Sequence, residues 1–232
     1  MALLVIEMGM SPHKIAEKWG NTAQWFINQL AKYGKKAEVV RPYKGDDIPS
    51  PELVKGAIIT GSWSMVTDRA DWSERTAQWI RQAIKIDTPM LGVCYGHQLM
   101  ADALGGKVGI NPYGGEKGAL DVKLTEIGKT NPLLDGFPTT FKANLFHEQS
   151  VLEAPQNAEI LAYSEKDSCQ MLRYSTSAFS VQFHPEFTKE ILQLAWEDYA
   201  GEDHLSICSF VDKTEWPQRI LKNFCCMAED IG

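Results

Sequence analysis

Residues 89–100 read PMLGVCYGHQLM. The apolar run of Leu91 and Val93 stops at Cys94, glycines stand at 92 and 96, and an apolar-periodic stretch begins with Leu99, Met100, Ala103 and Leu104. This pattern predicts a strand, a sharp turn and a helix, with a thiol at the turn. A nucleophile in that position is held clear of the sheet, and the next backbone N–H groups point toward whatever it attacks. The start of the helix also favours thiolate over thiol, the reactive form. A lone cysteine is more often a small buried hydrophobe, but Gly92 and Gly96 argue against that here.

On either side of this segment, strand and helix patterns alternate, as a largely parallel sheet requires. Leu3–Ile6, Ala37–Val40 and Ala57–Thr60 read as strands, with helices over Trp19–Tyr33 and Trp72–Ile86. Glycines dominate from Gly105 to about Gly118. Beyond them the pattern shifts to short strands: Leu120–Leu124, Thr140–Phe146, Ile160–Ser164, Gln170–Tyr174 and Phe179–Phe183. Helices are expected over Lys189–Tyr199 and Thr214–Ala228. The expected fold is α/β: a flavodoxin-like, doubly wound, mostly parallel sheet with flanking helices and a small antiparallel addition. Such sheets place ligands at the C-terminal strand ends. Without repeats, low-complexity tracts or a clear linker, 1–232 reads as one domain.

Composition narrows the function classes. Of 232 residues, 44 % are hydrophobic and 23 % charged, a globular balance. A net charge of −7 argues against a nucleic-acid or anionic-membrane surface. No apolar stretch has membrane-spanning length, and residues 1–10, MALLVIEMGM, are too short and lack a basic leader. The five cysteines, Cys94, Cys169, Cys208, Cys225 and Cys226, have irregular spacing and include no CxxC pair. They suit neither a disulfide framework nor a zinc knuckle, so a reducing cytoplasm is expected. Residues 114–118, GGEKG, lack Walker spacing, and GxGxxG is absent, so no cofactor is expected.

A second informative stretch is residues 178–187, AFSVQFHPEF. Phe179, Val181 and Phe183 read as a buried strand. Pro185 cannot continue the ladder, so the strand is expected to end near His184, leaving the imidazole at the sheet's C-terminal edge. Glu186 can then hold the other ring nitrogen. Cys94, His184 and Glu186 make a nucleophile, base and orienter, a set that needs proximity in space rather than in sequence. Residues 58–63, IITGSW, add a strand ending in a glycine turn, where a backbone N–H can meet a developing oxyanion. Gln98, one helical turn after Cys94, can face the same pocket.

GVCYGHQ together with VQFHPE resembles the class I glutamine amidotransferases, whose glutaminases use a Cys-His-Glu triad. The likeness runs to about Phe187, leaving about 188–232 as a helical extension with no synthetase domain attached. It is closest to freestanding proteins similar to the glutaminase part of GMP synthetase. The resemblance implies catalytic roles for Cys94, His184 and Glu186, and oxyanion donors at the Gly61 and Tyr95 N–H groups. It implies substrate contacts from Gln98, His147 and Gln149. Thr60, Ser62 and Trp63 depart from the glycine–proline composition usual at the oxyanion turn. Gln149 stands where relatives often carry an acid, which leaves Glu148 as an alternative partner for the α-ammonium. Residues around His147 suggest no metal-ligand set, so it reads as a pocket wall, and no metal is expected. His13, His97 and His204 read as structural.

The implied reaction is hydrolysis of the γ-amide of glutamine or a γ-glutamyl compound through a Cys94 thioester. Three readings stay open: a glutaminase partner of a separate synthase, a freestanding γ-glutamyl peptidase, and a catalytically weak binding protein.

Overall fold

Leu3 to Ile6 alternate between two buried layers. Leu4 and Ile6 join one hydrophobic cluster and Val5 the other, as do Ala57 and Ile59 against Ile58. Strands apolar on both faces belong in the middle of a covered sheet. The computed structural model describes residues 1–200 and 215–231. Its elements are β1 (Ala2–Ile6), α1 (His13–Trp19), α2 (Thr22–Ala31), β2 (Ala37–Val40), β3 (Val54–Ile59), α3 (Asp71–Lys85), β4 (Met90–Val93) and α4 (Tyr95–Ala103). These are followed by β5 (Lys107–Ile110), β6 (Glu116–Leu124), α5 (Glu126–Lys129), β7 (Thr140–His147), β8 (Gln149–Glu153), β9 (Glu159–Tyr163), β10 (Met171–Arg173), β11 (Ala178–Val181), α6 (Lys189–Ala200) and α7 (Glu215–Ile231).

The main sheet has the order β2-β1-β3-β4-β11-β10-β9-β6-β7. The first five strands are mutually parallel, in the doubly wound order expected from the sequence, and the remaining four continue the sheet antiparallel. β5 and β8 form a separate antiparallel pair. One face of the parallel region is covered by α2 and α7, through Phe26, Leu30, Ile220, Leu221 and Phe224. The other is covered by α3 and α4, through Trp79, Ile80, Ala83, Leu99 and Met100. Although α7 lies beyond the motif-bearing region, it is part of the core. Ile220, Leu221 and Phe224 are fully buried, each stabilising by about 1.5–3 kcal/mol.

Three local readings are corrected. The single helix expected over Trp19–Tyr33 is two, because Gly20 at φ 76° ends α1 and α2 restarts at Thr22. β5, β8 and the short α5 have no counterpart in the sequence reading. β11 ends at Val181, before Pro185 can act. Its neighbour β4 ends at Val93, and the last rung between them is Cys94 N–H donating to the Val181 carbonyl at 2.9 Å. The chain then crosses toward β7, where His184 N–H donates to the Asn144 carbonyl at 2.8 Å.

Candidate active site

Cys94 adopts φ 50°, ψ −100°, a conformation that L-residues rarely hold. Strain of this kind costs about 1–3 kcal/mol and persists only where the surroundings over-determine it. Here the backbone is fixed on three sides: Cys94 N–H on Val181 O, Gly96 N–H on Thr60 O at 3.1 Å, and Gln98 N–H on Cys94 O at 3.0 Å. The flanking glycines are required for close approach, not for positive φ. A Cβ at Gly96 would lie 2.2 Å from the Ile59 carbonyl oxygen, and one at Gly92 would lie 2.6 Å from the Gly96 oxygen. The helix carrying the thiol therefore rests directly on β3 and β4.

His184 reaches the same place from the end of β11. Its Nδ1 is 2.8 Å from Glu186 Oε1, and the ring stacks on Phe187 with centroids 3.8 Å apart. Phe187 in turn meets Trp25 edge-on at 5.5 Å, so the imidazole is held by packing as well as by its carboxylate. Nε2 is buried with no partner in hydrogen-bond geometry. It faces Cys94, whose sulfur lies close enough to raise the ring's proton affinity. Burial disfavours the cation, but the charges of Glu186 and Cys94 outweigh it and raise the His184 pKa to about 10. The raised pKa favours the imidazolium, the form that can give a proton through Nε2.

Gly61 closes the triangle. A Cβ there would sit 3.1 Å from His184 Cε1 and 3.6 Å from Cys94 Cβ. The Thr60 carbonyl on the same peptide accepts from Gly96, so the Gly61 N–H points the opposite way. The unusual Thr60 is a brace: its hydroxyl accepts from Met8 N–H at 3.0 Å and donates to the Gly61 carbonyl at 2.9 Å. That ties β1 to the turn after β3. Gly61→Ala is expected to lower kcat at least about tenfold with little change in Tm, since the added methyl displaces the imidazole by a few tenths of an ångström. Steady-state kinetics beside a melting curve check this, and unchanged kcat would contradict the packing argument.

One cavity of about 180 Å³ is lined by Gly61, Cys94, Tyr95, Gln98, His147, His184 and Glu186, all singled out in the sequence. Gln149 is not in its wall. It is buried, with its amide donating to Thr67 Oγ1 at 2.7 Å. Gln98 lines the cavity while its amide nitrogen holds the Gln149 carbonyl (2.7 Å) and Gln182 Oε1 (2.9 Å). The Tyr95 hydroxyl donates to Ser73 at 2.7 Å, away from the thiol, which leaves the backbone N–H as the group Tyr95 offers.

The sequence reading found no ligand set near His147, but the fold supplies candidates. Glu116, His147 and Asp167 are buried, with potential ligand atoms within 4.8 Å of one another. Glu116 Oε2 already accepts from His147 Nε2 (3.2 Å), Ser164 Oγ (2.9 Å) and Gln170 Nε2 (2.7 Å). Burial raises the Asp167 pKa, and the Glu116 charge adds to the rise. These hydrogen bonds tie β6, the end of β7 and residues 164–170 together beside the cavity. His97 is fully buried, bonded to Ser180 Oγ at 2.7 Å, and burial lowers its pKa to about 3. His13 is exposed beside Glu17, while His204 and Cys208 lie outside the described residues. The sequence reading missed the aromatic wall of Trp25, Trp63, Phe146, Phe187 and Tyr199, and also Lys117.

Fold and site define a class: α/β proteins with a cysteine at a strand–helix elbow facing a histidine–carboxylate pair. The chain belongs to the class I glutamine amidotransferase family, whose sequence profile matches residues 20–195. It is 26 % identical over 225 residues to gamma-glutamyl peptidase 5 of Arabidopsis thaliana, covering 90 % of this chain and 89 % of that one. It is 31 % identical over 183 residues to one of the subunits of the glutamine-hydrolysing GMP synthase of Methanocaldococcus jannaschii, covering 78 % of this chain and 77 % of that one. A glutamine amidotransferase crystal structure from Methylobacillus flagellatus shares the fold, with a TM-score of 0.77 at 19 % identity over 97 % of this chain and 94 % of that one. Among the described residues no helix is long and apolar enough to cross a membrane.

Proposed function

We propose that this protein hydrolyses the γ-amide of glutamine or of a γ-glutamyl compound through a thioester on Cys94. The thiolate attacks the γ-carbonyl carbon, and the N–H groups of Gly61 and Tyr95 hold the oxyanion. His184 Nε2 gives its proton to the departing nitrogen as the C–N bond breaks. Water, deprotonated by His184, then attacks the thioester, releasing glutamate and restoring the thiolate. Glu186 orients the ring and supports its charge throughout. The observation that carries this reading is the convergence of the Cys94 elbow and the unpartnered His184 Nε2 on the Gly61 turn.

A specific observation favours a freestanding γ-glutamyl hydrolase over an ammonia-producing partner. Trp25, Trp63, Phe146, Phe187 and Tyr199 line the cavity, more apolar surface than departing ammonia needs. Remote contacts of a larger leaving group contribute to transition-state binding. The 31 % identity to a GMP synthase subunit supports the second reading, a glutaminase serving a separate synthase. The free thiols of Cys94, Cys169, Cys225 and Cys226 support a reducing, cytoplasmic location.

Assayed alone, the purified protein should show higher kcat/KM for γ-glutamyl peptides than for glutamine. Glutamine hydrolysis that rises only when a synthase is added would favour the second reading. Failure to release amine or ammonia from any of these substrates, with or without a synthase, would sink the proposal.

A further inference from the structure

The segment between β3 and α3 carries the Gly61 turn at one end and Arg69 at the other. Between them, Ser62, Trp63, Ser64 and Met65 line the Cys94 cavity. The near end is held by the Thr60 hydroxyl on the Gly61 carbonyl and by Gly96 N–H on the Thr60 carbonyl. The far end is held by side chains. Arg69 meets both carboxylate oxygens of Asp102, with Nη1 2.6 Å from Oδ2 and Nη2 2.7 Å from Oδ1, and Nη1 also reaches Glu74 Oε1 at 3.3 Å. Asp102 lies on α4, about two turns beyond Cys94, and Glu74 lies in the first turn of α3. Two residues before Arg69, Thr67 Oγ1 accepts from Gln149 Nε2 at 2.7 Å.

Arg69 makes this contact against its backbone preference. Its φ is 52°, in the left-handed region that glycine, asparagine and aspartate enter most easily. Glycine or asparagine would form the turn with less strain. What arginine adds is a planar fork that meets a carboxylate at two points, a geometry lysine cannot copy. The Arg69 side chain is 54 % exposed and that of Asp102 13 %. An ion pair this open contributes little to folding, so stability gives a weak reason to keep a strained arginine here.

We propose that Arg69 and Asp102 are positioning residues: their pair latches the far end of the 61–69 segment to the helix that carries Cys94, and so holds the Gly61 N–H in place against the sulfur. This rests on the thioester reading above, in which that N–H meets the oxyanion. Both side chains lie outside the cavity wall, so they act through the backbone of the segment and not on the substrate. The latch serves the transition state, because the oxyanion forms only there. The apolar wall has its own support: Trp63 packs edge-on against Trp25, with ring centroids 6.1 Å apart. Substrate binding is therefore left largely unchanged when the latch opens.

The test is steady-state kinetics of the purified full chain, beside a melting curve, on the fastest of γ-glutamyl-p-nitroanilide, a γ-glutamyl dipeptide, and glutamine with a synthase added. Arg69→Asn keeps a residue suited to the left-handed turn and removes the fork, while Asp102→Asn keeps the shape and removes the charge. Each should lower kcat about tenfold at unchanged KM and nearly unchanged Tm, short of the roughly 10²–10³ lost with a whole oxyanion donor. The double variant should be no slower than the slower single one, since both substitutions break one contact. Unchanged kcat in both single variants, a loss carried by KM alone, a loss explained by a lowered Tm, or losses that multiply in the double variant would overturn the latch and leave the thioester reading standing. If wild type hydrolyses none of the three substrates, the thioester reading fails, and the latch with it.

Discussion

Cys94→Ala or Cys94→Ser should abolish amide hydrolysis and leave the protein folded. Loss of a nucleophile that works as a unit with its base costs roughly 10⁴–10⁶ in kcat. The fold survives because the backbone at Cys94 is fixed by its hydrogen bonds and by the glycines against β3 and β4, not by the sulfur. A glutamine-like electrophile, such as a diazo-ketone analogue, should label Cys94 and spare the other cysteines. Cys169 and Cys225 are buried thiols whose pKa values burial raises, that of Cys225 to about 12, so they carry little thiolate. Exposed Cys226 lacks the cavity that would recognise the reagent. Peptide mapping after labelling decides the point, and modification concentrated on Cys169 with Cys94 untouched would refute the assignment.

His184→Ala should cut turnover by roughly 10³–10⁶-fold, and its neighbour determines how activity depends on pH. Burial works against the imidazolium, but Glu186 and Cys94 together raise its pKa to about 10, so activity should persist through neutral and mildly alkaline pH. It should fall as pH rises through about 10, when the proton donor is lost. Glu186→Gln removes a raising influence and leaves the burial that lowers the pKa, so the alkaline limb should move to lower pH. Its loss of kcat should be smaller than that of His184→Ala, since Glu186 takes no proton. A pH–rate profile of wild type and the Gln variant tests this, and an alkaline limb that does not move on substitution would exclude Glu186 as the group that supports the imidazolium.

Much of the fold was legible because its causes are local. Strands apolar on both faces, such as Leu3–Ile6, together with the helical apolar spacing of 72–86, specify a covered parallel sheet. Where a local signal was weak, boundaries slipped. Gly20 divided a helix, and β8 went unseen beside the chemistry-bearing residues of its own segment. The residues singled out around the thiol were legible for a different reason: the elbow, the His-Pro-Glu sequence and the glycine turn each require particular residue types at adjacent positions.

The sequence by itself therefore determined the doubly wound architecture, the thiol at the strand–helix elbow and the histidine–carboxylate pair two residues apart. Tertiary structure alone decided which groups share the cavity. It turned Gln149 toward Thr67 and brought Glu148 into the wall with Lys117 from another strand. It also gathered Trp25 from α2, Trp63 from the loop after β3 and Tyr199 from α6 around one thiol. Strand periodicity assigns a side chain to a face, but its neighbours come from the register between strands distant in sequence, and that register is set when the whole core packs.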